Sequence, residues 1–359
     1  MAEPFKNLVS PTSIATLSAA IEAVHPFDAA AFRATAGAGL EALELKARVA
    51  HVARALRPHL PAAWPLALSV LVRALPPRDA GLLGHAWLWP ALQLVEWHGP
   101  EAPAASLDAL REMTPRFSAE FAVRPLLAAH PEVAYARLAA WADDPDEHVR
   151  RWVSEGSRPR LPWGMRLPGA VADPTAGLAL LDRLVDDPSE YVRRSVANHL
   201  GDVAKDHPDR AVAHAAAWLA ARSERAPLVK HALRDLLKKG HAGALALVGH
   251  GGTAAVDGLS VNRTSARAGD VVELDAVLEG EGRVRVDVVW QWPGARPGTW
   301  GQKTFTGADR ALVPGTVWHF RHRLSLKPVS TRPFRPGVQR LWLRVGGVDH
   351  GPVEFVLEG

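Results

Sequence analysis

One phrase in this chain is written twice. Residues 143–153 read DDPDEHVRRWV and residues 186–196 read DDPSEYVRRSV, the second copy starting 43 residues after the first. A period of about 40–47 residues marks a HEAT or armadillo solenoid. In such an array each helix pair buries its apolar face only by stacking on the next pair, so one repeat cannot fold alone. The phrase also sets two adjacent arginines at equivalent points of successive helices, Arg150-Arg151 and Arg193-Arg194. Stacking would line them along one face. A row of guanidinium groups suits a regular row of anions, and a phosphate backbone is such a row.

The rest of the chain organises around that signal. Residues 1–115 read as Ala- and Leu-rich helices over 13–24, 39–56 and 65–75. The stretch HAWLWPALQLVEW (85–97) carries Trp87, Trp89 and Trp97, which can stack bases or, among so many leucines, pack a core. Residues 116–250 hold the clearest repeats. PEVAYARLAAWADD pairs with EHVRRWVSEGS, and TAGLALLDRLVDD pairs with SEYVRRSVANHLGDVAKD. DRAVAHAAAWLAARS pairs with PLVKHALRDLLKKG, where Val229-Lys230-His231 replaces Val-Arg-Arg. A Pro/Gly-rich loop, 157–174, interrupts the array. Ser189 and Glu190 supply helix-start chemistry, and Gly240 after Lys238-Lys239 supplies a stop. GHGGTAAVDG (249–258) has linker composition. Beyond it the apolar period becomes two, in VVELDAVLEG, RVRVDVVWQW, VWHFRHRLSL and VQRLWLRV. With GLSVN, QKTFT and PVEFVL this makes about seven short strands, the size of an immunoglobulin-like sandwich. Trp290 or Trp292 would be its central core tryptophan. The expected fold is thus multidomain α and β: a right-handed α-solenoid of HEAT-like repeats over 1–250, a linker at 251–258, and an Ig-like β-sandwich over 259–359.

Composition excludes several chemistries. The 359 residues include no cysteine, which removes disulfides, cysteine-ligated metals and a thiol nucleophile, and fits a reducing, cytoplasmic setting. MAEPFKNLVS has no basic n-region before an apolar run, so no signal peptide is expected, and no long apolar window calls for a membrane. Net charge is +4, and its excess lies late: residues 259–359 hold 14 Lys+Arg against 10 Asp+Glu, while residues 1–258 hold 28 of each. The 16 histidines are scattered without metal-ligand spacing. There is no glycine-rich phosphate loop after a strand and no serine elbow, so nucleotide and serine hydrolysis lack their parts. No cofactor or metal is expected.

What remains is a set of carboxylates beside arginines. Glu155 follows Arg150-Arg151 by one helical turn and opens into the loop that holds Trp163. Asp202 follows Arg193-Arg194 two turns on, and Glu120 precedes Arg124 by one turn. On their own these read first as i,i+4 ion pairs on a solvated face, worth a few tenths of a kcal/mol.

SAEFAVRPLL, HVRRWVSEGSRPRLPW, DDPSEYVRRSVANHLGDVAKDHP and VKHALRDLLKKGH together resemble the HEAT-repeat alkylpurine DNA glycosylases, the AlkC/AlkD superfamily. The resemblance covers about residues 115–250 closely and 1–115 loosely, and the appended Ig-like domain points to the AlkC branch. It implies excision of cationic alkylated bases, 3-methyladenine above all, with 3-methylcytosine and 1-methyladenine, from duplex DNA and without base flipping. By the same resemblance Glu120, Glu155 and Asp202 match acidic residues that face the lesion, and Trp163 matches the aromatic that packs on its deoxyribose; the ordinary alternative for Trp163 is a plug in the repeat gap. Arg150, Arg151, Arg158, Arg160, Arg193, Arg194 and Lys205 would contact backbone phosphates, with Lys230, His231, Arg234, Lys238 and Lys239 extending the track. In the loop KPVSTRPFRPG (327–337), Arg332 and Arg335 are placed to enter a minor groove or to decorate an ordinary surface loop.

Chemistry agrees with these roles, since an alkylated base is already cationic and leaves without a general acid. The sugar then gains oxocarbenium character, which a nearby carboxylate stabilises. The expected protein is a monofunctional DNA repair glycosylase, monomeric, off the membrane, and nucleoid-associated when bound to its duplex DNA partner. The alternatives are a HEAT-repeat protein that binds nucleic acid without cleaving a bond, and a protein-binding scaffold.

Overall fold

The computed structural model describes residues 4–78, 84–327 and 335–359. Packing divides the chain into two compact units, residues up to Asp206 and His207–Gly359. The first unit holds α1 (Pro11–Glu22), α2 (Ala29–Gly37), α3 (Leu45–Leu56), α4 (Trp64–Arg73), α5 (Trp89–His98) and α6 (Pro103–Met113). It continues with α7 (Arg124–Ala129), α8 (Pro131–Ala140), α9 (Glu147–Gly156), α10 (Pro168–Ala172), α11 (Thr175–Leu184) and α12 (Glu190–Asp206). Their starts follow local chemistry. Ser10 and Ser13 form a reciprocal capping box before α1, with Pro11 in its first turn. Asp28 accepts from the Ala31 amide at 2.9 Å and starts α2, which apolar periodicity had not singled out. The segment expected as one helix over 39–56 is split. Gly39 is left-handed, Leu40–Ala42 make a short 3-10 turn, and α3 begins at Leu45.

The two copies of the phrase stack as their period requires: α9 packs on α12, and α8 on α11. The joint between them is polar and specific. Asp144 accepts from the Asp146 amide, and Asp187 from the Ser189 amide, each at 2.9 Å, closing the same turn twice. Arg150 donates back to the carbonyls of Asp144 (2.9 Å) and Pro145 (3.1 Å), and forward to both oxygens of Asp187 (2.6 and 3.0 Å). Arg193 repeats the backward half on Asp187 and Pro188 (2.5 and 2.9 Å), while Arg111 repeats the forward half on Asp144 (2.7 Å). The first arginine of each pair therefore ties its own turn and, for Arg150, the next repeat. Of the two arginines expected in a row facing phosphates, Arg150 has its guanidinium hydrogens taken up by these bonds, whereas Arg193 commits one nitrogen, Nη1, to its own turn.

The second unit begins with α13 (Pro208–Ala221), α14 (Ala226–Ala232), α15 (Arg234–Lys239) and α16 (Ala242–Leu247). The strands follow: β1 (Thr253–Val261), β2 (Ser265–Ala266), β3 (Val271–Pro293), β4 (Trp300–Leu312), β5 (Val317–Ser325), β6 (Gly337–Val345) and β7 (Val348–Leu357). The boundary expected at residue 250 is not where packing divides the chain. Gly240, left-handed at the end of α15, lies so close to the β6–β7 turn that a Cβ there would stand 2.7 Å from the Gly347 Cα. Arg344 donates to the Lys238 carbonyl at 2.6 Å. These contacts fasten the last helices to the sandwich. Most of the expected linker is also ordered sheet, because β1 starts at Thr253 and pairs with β3.

The two strands expected over 271–280 and 283–292 are one 23-residue strand, β3. Its first half pairs with β1 and β5, its second with β4 and β6, and β7 and β2 extend the second sheet. The change of sheet falls at Gly280–Gly282, where a Cβ on Gly280 would stand 2.0 Å from the Thr253 carbonyl oxygen. Val272, Leu274, Leu341, Leu343 and Phe355 fill the core around Trp290. Trp290 takes the central place: it is 1% exposed, and its indole donates to Gln339 at 3.0 Å. Trp292 packs at the margin of that core.

Candidate functional site

The carboxylates singled out in the sequence come together in the first unit, through arginines other than those their spacing suggested. Glu155 sits in the last turn of α9. One of its oxygens accepts from Arg158 Nη1 at 2.7 Å and lies 3.4 Å from Arg151 Nη2; the other accepts from Ser195 Oγ on α12 at 2.6 Å. Arg158 Nε donates to Asp202 at 2.8 Å, and Lys205 Nζ donates to the other Asp202 oxygen at 2.8 Å. At the opposite end Arg151 donates to Glu120 and, at 3.1 Å, to Ser118 Oγ, which itself donates to Glu120 at 2.9 Å. The Arg151 guanidinium lies 5.2 Å over the Tyr191 ring. Acids and bases thus alternate in one chain: Glu120, Arg151, Glu155, Arg158, Asp202, Lys205.

The middle of this chain is set inside the protein, while Lys205 at its end is exposed. Glu155 is 6% exposed, Arg158 7% and Asp202 1%. A charge at such depth persists only when paired. Burial works to lower the Arg158 pKa, but Asp202 and Glu155 outweigh it and the net shift is upward. The same balance raises Arg151, where Glu120 and Glu155 overcome burial. The i,i+4 pair expected between Glu120 and Arg124 does not form. Arg124 is fully buried and donates instead to two backbone carbonyls, Gly156 at 2.9 Å and Met165. Burial pushes its pKa down to about 10. Asp202 likewise takes Arg158 and Lys205 as partners in place of Arg193-Arg194. Beneath the acids, His199 donates from Nδ1 to the Ser154 carbonyl at 2.9 Å in the neutral form, since complete burial lowers its pKa to about 4.

Arg124 joins this chain to the loop that carries Trp163. Gly156 ends α9 one residue after Glu155, and Met165 stands two residues beyond Trp163. Trp163 has φ 64, the positive-φ non-glycine residue among those described. A bulky side chain there costs about 1–2 kcal/mol and persists only where its surroundings impose it. Its ring is 68% exposed, with Met165 beside it 43% exposed, so it does not plug the gap between repeats.

The remaining positions divide by environment. Arg160 makes a two-pronged pair with Asp206. Arg194 projects into solvent with Glu190 at 3.1 Å. In the second unit Lys230, His231, Lys238 and Lys239 are exposed on α14 and α15, and Arg234 donates to the His231 carbonyl at 2.7 Å. Arg335 is half-buried and reaches the Gly294 carbonyl at 3.4 Å. Arg332 lies outside the described residues. Sequence reasoning passed over Ser118, Tyr191, Ser195 and Lys46. Only Ser195 carried a visible signal, standing where the first copy of the phrase has Trp152.

A helical unit holding a buried acid–arginine chain, followed by an Ig-like sandwich, defines a two-part architecture that known proteins share. Residues 255–359 match the family model described as "Uncharacterised protein YhaZ, C-terminal Ig-like domain". The uncharacterized protein YhaZ of Bacillus subtilis (strain 168) is 34% identical over 317 residues, 87% of each chain. The structure of Pseudomonas fluorescens alkylpurine DNA glycosylase AlkC, bound to DNA containing an abasic site analog, is 32% identical. It aligns with a TM-score of 0.85 over 99% of this chain and 100% of that one. The chain belongs to the AlkC-type family with a C-terminal Ig-like domain.

Proposed function

We propose that this protein is a monofunctional DNA repair glycosylase. Its substrates are cationic alkylated bases in duplex DNA: 3-methyladenine, with 3-methylcytosine and 1-methyladenine, attacked without flipping. The observation that carries the reading is the carboxylate chain Glu120–Glu155–Asp202 beside a strained turn that exposes Trp163. It occurs in a chain alike end to end to a glycosylase solved on DNA with an abasic site analog. An abasic site is what base release leaves.

In this reading the C1′–N bond breaks heterolytically, and the alkylated base departs neutral with the bonding pair. The positive charge left on the sugar is stabilised by the Glu155 carboxylate. Water adds its oxygen to C1′ and gives a proton to that carboxylate. Ser195 and Arg158 hold one Glu155 oxygen each and so set its direction. Trp163 packs on the deoxyribose, and the solvent-facing cations Arg194 and Lys205 contact phosphates, with Arg151, Arg158 and Arg160 acting mainly by holding the acids. Lys230, Arg234, Lys238, Lys239 and Arg335 extend the phosphate contacts, and the protein works as a cytoplasmic monomer. The test is release of methylated bases from duplex DNA. Wild type should form abasic sites, and Glu155→Gln should lose roughly a hundredfold in single-turnover rate while melting within a few degrees of wild type. No base release by wild type would overturn the reading.

The near burial of Glu155 and Asp202 supports a second reading, duplex binding without bond cleavage. It predicts salt-sensitive binding, no base release, and indifference to Glu155→Gln.

A further inference from the structure

The Trp163 turn is held from two sides by cations that touch only its backbone. Lys46, exposed on α3, donates from Nζ to the Trp163 carbonyl and lies 5.4 Å over the Phe121 ring. Arg124, from α7, donates to the Met165 carbonyl and, at 2.9 Å, to the Gly156 carbonyl. The turn lies so close on Arg124 that a Cβ on Gly164 would stand 3.2 Å from its Cδ and 3.3 Å from its Nε. Glu96 on α5 faces the charges of both Lys46 and Arg124, and Gln93 donates to it at 2.9 Å. Arg124 has no ion pair among the described residues, and its Nη2 is buried without a hydrogen-bond partner. A buried guanidinium is a costly way to satisfy carbonyls, and a left-handed tryptophan is a costly way to make a turn. The two occur together, and the same Arg124 guanidinium reaches the Gly156 carbonyl, one residue after Glu155.

We propose that Lys46 and Arg124 are positioning residues, clamping the Trp163 turn by its carbonyls so that the ring is presented outward at a fixed place relative to Glu155. The proposal rests on the glycosylase reading for its catalytic consequence, though not for the clamp itself. A sugar-facing ring contributes to rate only where its geometry is preset, since small misplacements weaken oriented catalysis. Lys46 acts in this scheme through the peptide, not through a phosphate.

The test uses the full chain labelled with 5-fluorotryptophan. The Trp163 resonance among the 13 tryptophans is assigned by its loss in Trp163→Phe. In Lys46→Met that resonance should shift or double while the other twelve hold. Single-turnover release of 3-methyladenine should fall about fivefold, with duplex affinity and its salt dependence unchanged, and Lys46→Arg should restore both signal and rate. Arg124→Lys should move the same resonance; should that variant fail to fold, Lys46→Met decides alone. An unmoved Trp163 resonance overturns the clamp. A moved resonance with an unchanged rate overturns its catalytic role. A lower salt slope of binding makes Lys46 a phosphate contact instead. Wild type without base release sinks the glycosylase reading and leaves the fluorine result to decide the clamp.

Discussion

The two copies of the repeated phrase differ at few positions, and those differences separate scaffold from site. Arg150 and Arg193 correspond, and both bind back onto their own turn. Trp152 and Ser195 also correspond. Trp152 is fully buried against Trp141 at 5.6 Å, whereas Ser195, facing the previous repeat, leaves room for Glu155 and bonds it. Glu155 in the first copy stands where the second has Asn198, and Gly156 where the second has His199. What the copies share builds the joint. What they do not share places an acid, a hydroxyl and a buried imidazole at one spot. Divergence within a repeat, more than the repeat itself, marks the candidate site.

Making the first copy like the second should break this comparison most severely. Trp152→Ser empties a core position and is expected to cost about 4 kcal/mol in urea unfolding; a loss below ~1 kcal/mol would show that the first copy does not depend on its tryptophan. Next come the paired arginines. Arg150→Ala strands the buried Asp187 carboxylate and should cost about 3 kcal/mol, whereas Arg193→Ala, which removes turn carbonyl contacts alone, should cost about 1 kcal/mol. Equal losses would remove the distinction between a joint arginine and a turn arginine. A pH-dependent effect concerns His199. Burial lowers its folded pKa to about 4 from 6.5. Below pH 6.5 the unfolded chain takes up a proton that the folded chain refuses, so stability is lost as pH falls from 6.5 toward 4. Between pH 6.5 and 5 this group should account for about 2 kcal/mol, and His199→Gln should flatten that part of the curve. An unchanged slope in the variant would mean that His199 is charged in the fold.

Much of this was legible in the chain. The 43-residue period announced stacked helix pairs, the switch from period 3.6 to 2 announced a sandwich, and Gly240 announced a helix end. The acids Glu120, Glu155 and Asp202 stand out in the sequence by sitting near arginines. Their actual partners were not legible, because ion pairs follow space and not spacing. Glu120 lies one turn from Arg124 in sequence, yet Arg151, 31 residues away, reaches it first. Arg158 meets Asp202 across 44 residues. The contact between the last helices and the sandwich was hidden for a similar reason: Gly240 and Gly347 show their closeness only when both backbones are seen.

Local rules, then, determined the elements. Repeat period, apolar alternation, caps and glycine stops each act within about one helical turn or one strand, and the sequence states them directly. The tertiary structure decided which charges pair, that Arg150 and Arg151 both turn inward while Arg194 projects into solvent, and that Trp163 holds a left-handed backbone. Those outcomes depend on residues 30 to more than 100 positions apart meeting at hydrogen-bond distance, as Lys46 meets the Trp163 carbonyl across 117 residues. In a low-dielectric interior the geometry of that meeting, and not the order of letters, sets the energy.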